Sequence, residues 1–90
     1  MTKRFDGKTA FVSGGSRGIG LAIATRLAME GADVMISGSQ KKNLDTAVAA
    51  IAEKSSGRVL AHASDLRQMA GCEAAFTAHD AAFGRCDILV

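Results

Sequence analysis

The stretch Ser13-Gly-Gly-Ser-Arg-Gly-Ile-Gly20 decides the fold of this 90-residue chain. It follows a short apolar run, Lys8-Thr-Ala-Phe-Val-Ser13, and it leads into a segment with Ile19, Ile23 and Leu27 at helical spacing. A short apolar run that stops at paired glycines is typical of a buried strand, and an i, i+4, i+8 stripe is typical of a helix. The sequence therefore predicts a strand, a glycine-rich turn and a helix at its amino-terminal end.

The alternation of apolar runs and helical stripes continues to the end of the chain. The first helix is predicted over residues 18–30, with Gly31 just beyond its end. The pattern then predicts strands over 33–37, 58–63 and 87–90, a helix from Leu44 to near Gly57, and a helix over 69–83 that ends at Gly84. The order βαβαβαβ favours right-handed crossovers and a parallel sheet with helices on both faces. The predicted fold class is α/β, the first portion of a Rossmann-type doubly wound sheet.

The composition limits the possible partners. The chain is 48% apolar and 22% charged, with a net charge of +2, which is typical of a globular protein. Its basic residues are scattered and its four aromatic residues are all Phe, so we expect no nucleic-acid partner. The polar amino terminus lacks a signal-peptide pattern, and no apolar run approaches the roughly 18 residues of a membrane span. We expect a cytoplasmic protein with no membrane partner.

Cysteine and histidine give no sign of a metal site. Cys72 and Cys86 are not arranged in the close pairs that structural zinc needs. We expect them to be free, partly buried thiols in a reducing compartment. His62 lies within a predicted strand and His79 lies on an apolar helical stripe, so both are interpreted as packed or partly exposed residues rather than catalytic bases.

The glycine-rich turn has the composition of a phosphate-binding site. Gly14 would allow a sharp exit from the strand, Gly18 would let the backbone approach a phosphate, and Gly20 would let the helix pack closely on the sheet. Unpaired N–H groups at the start of a helix, with the positive end of its dipole, attract anions. The spacing GxxxGxG lacks the Lys and Ser/Thr of a P-loop. The alternative is a glycine-rich turn that binds nothing.

These residues resemble the TGxxxGIG motif of the short-chain dehydrogenase/reductase family, with Ser13 in place of Thr. Three further stretches agree with the family in order and spacing, namely 31–38, Ser64-Asp-Leu66 and 84–90. The resemblance covers the N-terminal part of a family member, so we expect residues 1–90 to be the NADP-binding N-terminal portion of a single Rossmann-type domain. The nearest subgroup is the 3-oxoacyl-(acyl-carrier-protein) reductase-like group.

The end of the second strand indicates which nicotinamide cofactor is preferred. An acidic residue there would bond the ribose 2′-OH of NAD, but this chain has Gly38. Arg17 would pair with the 2′-phosphate of NADP, Ser39 would hydrogen-bond it, and Lys41 or Lys42 would add charge. The alternatives are a surface arginine at position 17 and solvated lysines at the start of the second helix. By resemblance, NADP(H) is preferred over NAD(H).

The end of the third strand resembles the family's adenine contact, with Asp65 facing the amino group and the Leu66 backbone beside it. The alternative for Asp65 is an N-cap of the third helix. Asp87 is interpreted as structural. The predicted cofactor-binding residues are Ser13, Gly14, Ser16, Arg17, Gly18, Ile19, Gly20, Gly38, Ser39, Asp65 and Leu66.

The resemblance implies hydride transfer between NADP(H) and a small carbonyl or alcohol substrate, by an enzyme that forms a homo-oligomer. Catalysis in the family uses Tyr and Lys of a YxxxK motif with Ser and Asn, and this chain has no Tyr. No catalytic residue is therefore assigned within these 90 residues. The alternative hypothesis is a non-catalytic nucleotide-binding module that is complete as given.

Overall fold

The computed structural model describes residues 4–55 and 57–90. Within this part of the chain, strands and helices alternate in the predicted order βαβαβαβ. Their bounds are β1 Thr9–Ser13, α1 Gly18–Met29, β2 Asp33–Gly38, α2 Lys41–Ala52, β3 Val59–Ala63, α3 Met69–Phe83 and β4 Ile88–Leu89.

The strands form one parallel sheet in the order β3-β2-β1-β4. β1 pairs with β2 up to Ser13 opposite Ser37, and β2 pairs with β3 up to Gly38 opposite Ala63. β4 lies on the other side of β1, so the strand order reverses between these two strands. Ligands of open α/β sheets bind at the carboxyl ends of the strands beside such a reversal. The predicted α/β fold of the Rossmann type is confirmed.

Side chains of the sheet alternate between two apolar cores, one on each face. On one face the strands pack against α1 and α2, and the buried residues of this core include Val12, Ile36, Leu44 and Ile51. On the other face, Phe11 and Met35 pack against Ala75 of α3. The prediction of helices on both faces is confirmed, and the carboxyl ends of the strands emerge between the two layers.

Two helices end earlier than the sequence pattern predicts. α1 ends at Met29, and Gly31 follows with a φ of +99°, in the position expected for it. α2 ends at Ala52, well before the predicted end near Gly57. A Cβ on Gly57 would lie 2.6 Å from the Ala32 carbonyl oxygen. The chain has therefore left the helix and packs against the α1–β2 connection before it enters β3.

Four residues tie β4 to β1 at the amino end of the sheet, and we call Gly7, Thr9, Arg85 and Asp87 the amino-end clasp. Asp87 Oδ2 accepts hydrogen bonds from Thr9 N–H at 2.9 Å and from Arg85 Nε at 3.0 Å. The Thr9 hydroxyl donates to the Arg85 carbonyl at 2.6 Å, and Arg85 Nη2 donates to the Gly7 carbonyl. The Thr9 backbone bond, helped by Arg85, holds the pKa of Asp87 below its ordinary value. Asp87 is structural, as predicted.

The cysteines and the buried histidine lie away from the glycine-rich turn. Both thiols are free, but only Cys72 is half-buried. The prediction of a partly buried thiol is wrong for Cys86, which is exposed in the connection between α3 and β4. His79 is a packed residue, 2% exposed, with Nε2 at 2.9 Å from the Arg85 carbonyl oxygen. In the part of the chain that the structure describes, no helix has the length and apolarity to cross a membrane, and no three potential metal ligands cluster.

Candidate functional site

The β1–α1 turn has the backbone conformation that its glycines predict. Gly14 and Gly18 have φ values of +66° and +61°, in the left-handed region that other residues avoid. A Cβ on either glycine would meet no atom within 4 Å, so the space beside both is open. The turn is held to β2 by Gly15 N–H, which donates to the Ser37 carbonyl at 3.2 Å. The chain therefore forms a fixed turn with open space beside two of its glycines.

Two further glycines of the turn are needed for close packing rather than for their φ. A Cβ on Gly20 would collide with the Gly14 carbonyl oxygen. The prediction that Gly20 packs on the sheet is thus corrected, because its neighbour is the backbone of the turn itself. A Cβ on Gly15 would lie 2.6 Å from Ile36 Cγ2. The sequence interpretation missed Gly15, although the doubled Gly14-Gly15 was a signal for it.

The start of α1 presents unpaired backbone donors. The first helical amide to donate is that of Leu21, to the Arg17 carbonyl at 3.2 Å. Within the described residues, the amides of Gly18, Ile19 and Gly20 have no acceptor, and the first turn carries no acidic side chain. Three N–H groups at the positive end of a helix form a site for an anion such as a phosphate group.

Side chains of the turn take different roles. The Ser13 hydroxyl donates to the Val90 carbonyl at 2.9 Å, so it links β1 to the chain after β4. Ser16 is half-buried, and Ile19 is 80% exposed beside the unpaired amides. Arg17 is exposed in an extended N-cap conformation, and no carboxylate among the described residues pairs with it. Its guanidinium is available to a ligand.

The end of β2 lies beside the turn. A Cβ on Gly38 would lie 3.5 Å from Ser16 Oγ and 3.4 Å from Leu44 Cδ2, which are ordinary contacts. The two stretches that the sequence assigns to one cofactor are therefore neighbours. Ser39 is exposed just after the strand. The Lys41 ammonium pairs with Asp45 Oδ2 at 2.9 Å, so its charge is already offset.

The end of β3 presents a carboxylate that is held by its own loop. Asp65 Oδ1 accepts hydrogen bonds from Arg67 N–H and Nε, both at 3.0 Å, and Oδ2 accepts one from Arg67 Nη2 at 3.1 Å. These bonds, first of all those from the Arg67 side chain, lower the pKa of Asp65, which keeps it charged. The alternative of Asp65 as a helix N-cap is wrong, because α3 begins at Met69 with Gln68 as its cap.

The backbone of this loop is fixed by residues that the sequence interpretation missed. A Cβ on Gly71 would collide with the Asp65 carbonyl, and Cys72 Sγ lies 3.1 Å from the Leu66 carbonyl oxygen. Ser64 N–H donates to the Gly38 carbonyl at 3.0 Å, which ties the loop to the end of β2. A glycine inside an apolar helical stripe is the signal that could have identified Gly71.

These loops follow the carboxyl ends of three neighbouring strands, as a dinucleotide site of this fold requires. The family model described as short chain dehydrogenase matches residues 8–90. The chain belongs to this family. The predicted family membership is confirmed, whereas the 3-oxoacyl-(acyl-carrier-protein) reductase-like subgroup stays a prediction.

Several named proteins are similar to this chain over most of its length. The D-beta-hydroxybutyrate dehydrogenase of Cupriavidus necator is 41% identical over 86 residues, which cover 94% of this chain and 33% of the relative. The solved L-sorbose reductase of Gluconobacter frateurii, complexed with NADPH and L-sorbose, matches with a TM-score of 0.92 and 38% identity, over 99% of this chain and 34% of that one. A metagenomic short-chain oxidoreductase in complex with NADP matches with a TM-score of 0.87 and 38% identity, over 94% and 38% of the two chains.

The chain spans about a third of the length of these relatives. The family is one of oxidoreductases that bind nicotinamide cofactors and act on small molecules.

Proposed function

We propose that these 90 residues are the N-terminal, cofactor-binding portion of an NADP(H)-dependent oxidoreductase that transfers hydride to or from a small carbonyl or alcohol substrate. The observation that carries the proposal is the set of unpaired amides of Gly18, Ile19 and Gly20 beside the end of β2. The open space beside the turn fits a pyrophosphate, since a Cβ on Gly14 or Gly18 would meet no atom there. Solved relatives that carry NADP or NADPH support the choice of cofactor.

The preference for the 2′-phosphate rests on Gly38 and Arg17. Gly38 offers no carboxylate to a ribose hydroxyl, and it would offer no repulsion to a phosphate. Arg17 follows Ser16, whose hydroxyl faces the Gly38 position, and its exposed guanidinium pairs with no acid of the described residues. A planar guanidinium forms strong, forked bonds with phosphate oxygens. Ser39 would add a hydroxyl at the same end of β2.

The proposed adenine site is formed by Asp65 and Leu66. The Asp65 carboxylate is a charged acceptor, and the N–H of Leu66 donates to no group among the described residues. An adenine edge has the complementary pattern, an amino donor beside a ring-nitrogen acceptor. Binding through these two groups would orient the adenosine half of the cofactor.

When bound, the nicotinamide supplies the hydride chemistry, and the protein binds and orients it. The residues described above hold the adenosine and pyrophosphate parts, and none is assigned a proton-transfer role. We extend the proposal to a cytoplasmic homo-oligomer, in keeping with the family resemblance. The proposed substrate is defined only by its chemical class, a small carbonyl or alcohol compound.

The test compares NADPH with NADH through the fluorescence of the reduced nicotinamide. Arg17→Ala is expected to raise the Kd of NADPH about tenfold and to change that of NADH less than about twofold, because only NADPH carries the 2′-phosphate. Arg26→Ala is the control, since Arg26 is an exposed arginine in the last turn of α1 that pairs with Glu30. Equal losses for both cofactors would contradict the role of Arg17. If neither cofactor binds saturably to the wild type, the site itself is wrong.

A further inference from the structure

Arg67 occupies most of the hydrogen-bonding capacity of Asp65. A carboxylate has about four lone-pair positions, two on each oxygen. Arg67 N–H and Nε both bind Oδ1, and Arg67 Nη2 binds Oδ2. The remaining acceptor position of the carboxylate is therefore on Oδ2. Both oxygens are held by one residue, so the plane of the carboxylate is fixed relative to its own loop.

The backbone of the loop does not depend on the Arg67 side chain. Gln68 N–H donates to the Asp65 carbonyl at 3.1 Å, and Cys72 Sγ lies 3.1 Å from the Leu66 carbonyl oxygen. Gly71 of α3 packs closely against the Asp65 carbonyl. The Arg67 side chain is 89% exposed and packs against no core. Its removal would release the carboxylate and leave the loop in place.

We propose that Arg67 is a positioning residue for cofactor recognition, which aims the remaining Oδ2 acceptor of Asp65 so that it lies beside the Leu66 N–H as an acceptor–donor pair for adenine. This inference rests on the proposed function, because it assumes that Asp65 and Leu66 bind the adenine edge. It goes further in assigning the alignment of that pair to the Arg67 side chain, whose hydrogen bonds within the described residues all go to Asp65. Without the guanidinium, Asp65 would keep one bond, to the backbone of residue 67, and its carboxylate would rotate.

The experiment measures the preference for adenine over hypoxanthine. NADPH and its hypoxanthine analogue differ at the base edge, where the analogue presents a carbonyl to the carboxylate and an N–H to the Leu66 amide, so both polar contacts are reversed. The wild type is expected to bind NADPH about tenfold more tightly than the analogue. Asp65→Ala should reduce this ratio to about two, because the Leu66 N–H still favours the ring-nitrogen acceptor of adenine. Arg67→Ala should reduce it to about three or four, and Arg67→Lys should give a ratio between that of Arg67→Ala and that of the wild type, because a lysine lacks the fork.

Arg58→Ala is the matched control. Arg58 forms the corresponding pair with Asp33 at the opposite end of the sheet, with its N–H on Oδ1 at 2.8 Å and Nη2 at 3.6 Å from Oδ2. The Arg58→Ala variant should prefer NADPH over the hypoxanthine analogue by the same ratio as the wild type. If Asp65→Ala loses the preference and Arg67→Ala keeps it in full, the role of Arg67 is overturned and the adenine site stands. If Asp65→Ala keeps the preference, the adenine contact of the proposed function is itself wrong. Far-UV circular dichroism of each variant verifies that a lost ratio comes from a folded protein.

Discussion

Polar groups at the two ends of the sheet differ in whether they have hydrogen-bond partners within the protein. At the amino end, the clasp pairs its donors and acceptors with one another, and Asp87 accepts hydrogen bonds from both Thr9 and Arg85. At the carboxyl end, the first amides of α1 and the amide of Leu66 have no partner among the described residues. Satisfied polar groups stabilise a fold, and unsatisfied ones at a concave surface bind ligands. The difference separates residues that hold the molecule together from residues that we propose to bind a cofactor.

The largest expected effect comes from Gly20→Ala at the carboxyl end. The new Cβ would collide with the Gly14 carbonyl, so the turn must move, and we expect a loss of about 2–3 kcal/mol in the free energy of unfolding together with loss of NADPH binding. Gly18→Ala is the matched variant, because its Cβ meets open space and only its φ of +61° is unfavourable. It should cost about 1–2 kcal/mol. Urea denaturation measures the stability of each variant, and NADPH titration measures its cofactor binding. Equal losses in the two variants would show that close packing at Gly20 is unimportant.

Gly38→Asp is expected to change the cofactor and to leave the fold intact. The Cβ would make only ordinary contacts, and the carboxylate would face the proposed 2′-phosphate position. We expect the Kd of NADPH to rise at least about tenfold and that of NADH to fall, because like charges repel and the ribose hydroxyl gains an acceptor. Gly38→Asn has the same size without the charge and should change NADPH binding less. A Gly38→Asp variant that still prefers NADPH would contradict the location of the 2′-phosphate.

Asp87→Ala at the amino end should lower stability and leave cofactor binding unchanged. The substitution removes the acceptor of the buried Thr9 amide and the partner of Arg85, so the Tm should fall. Asp45→Ala is the control, since its pair with Lys41 is exposed on both sides and is worth about 0.3–0.5 kcal/mol. If Asp87→Ala binds NADPH more weakly at a temperature where the variant is folded, the claim that the amino-end clasp contributes only to stability is contradicted.

The Asp87 carboxylate should also make the stability of the fold depend on pH. The pKa of Asp87 is lower in the folded chain than its ordinary value, so its contribution to stability is present above about pH 4 and is lost as the pH falls through the folded value. Unfolding curves of the wild type should therefore approach those of Asp87→Ala in strongly acidic solution. A constant difference between the two proteins from pH 7 to pH 2 would contradict this.

Much of the fold could be predicted from sequence, because the pattern that carries it is local. Ile23 and Leu27 and the apolar runs that become strands reflect burial between two layers, which periodicity records, whereas Ile19 at the start of the same stripe is 80% exposed. Gly57 shows the limit, since α2 ends at Ala52 and the chain then packs closely against the Ala32 carbonyl, a contact that the local pattern does not indicate. Contacts between residues distant in sequence do not produce a periodic spacing of apolar residues.

The same limit applies to the site. The need for glycine at positions 14 and 18 could be predicted from one local motif, whereas the close neighbour of Gly20 is the turn backbone and not, as predicted, the sheet. Gly15 matters because of Ile36, which belongs to another strand. Arg67 lies two residues from Asp65, yet the spacing alone does not say that its guanidinium reaches both oxygens, because that depends on a side-chain rotamer.

The backbone bonds that join the loops of the carboxyl end bear on how such a protein could evolve. Gly15 N–H binds the Ser37 carbonyl, and Ser64 N–H binds the Gly38 carbonyl, so the frame of the site is made by main-chain groups. Substitution of the exposed side chains at positions 17, 39 and 67 does not remove these bonds. Given the cofactor-binding roles proposed for these side chains, cofactor preference can therefore change through surface mutations that carry little risk of misfolding.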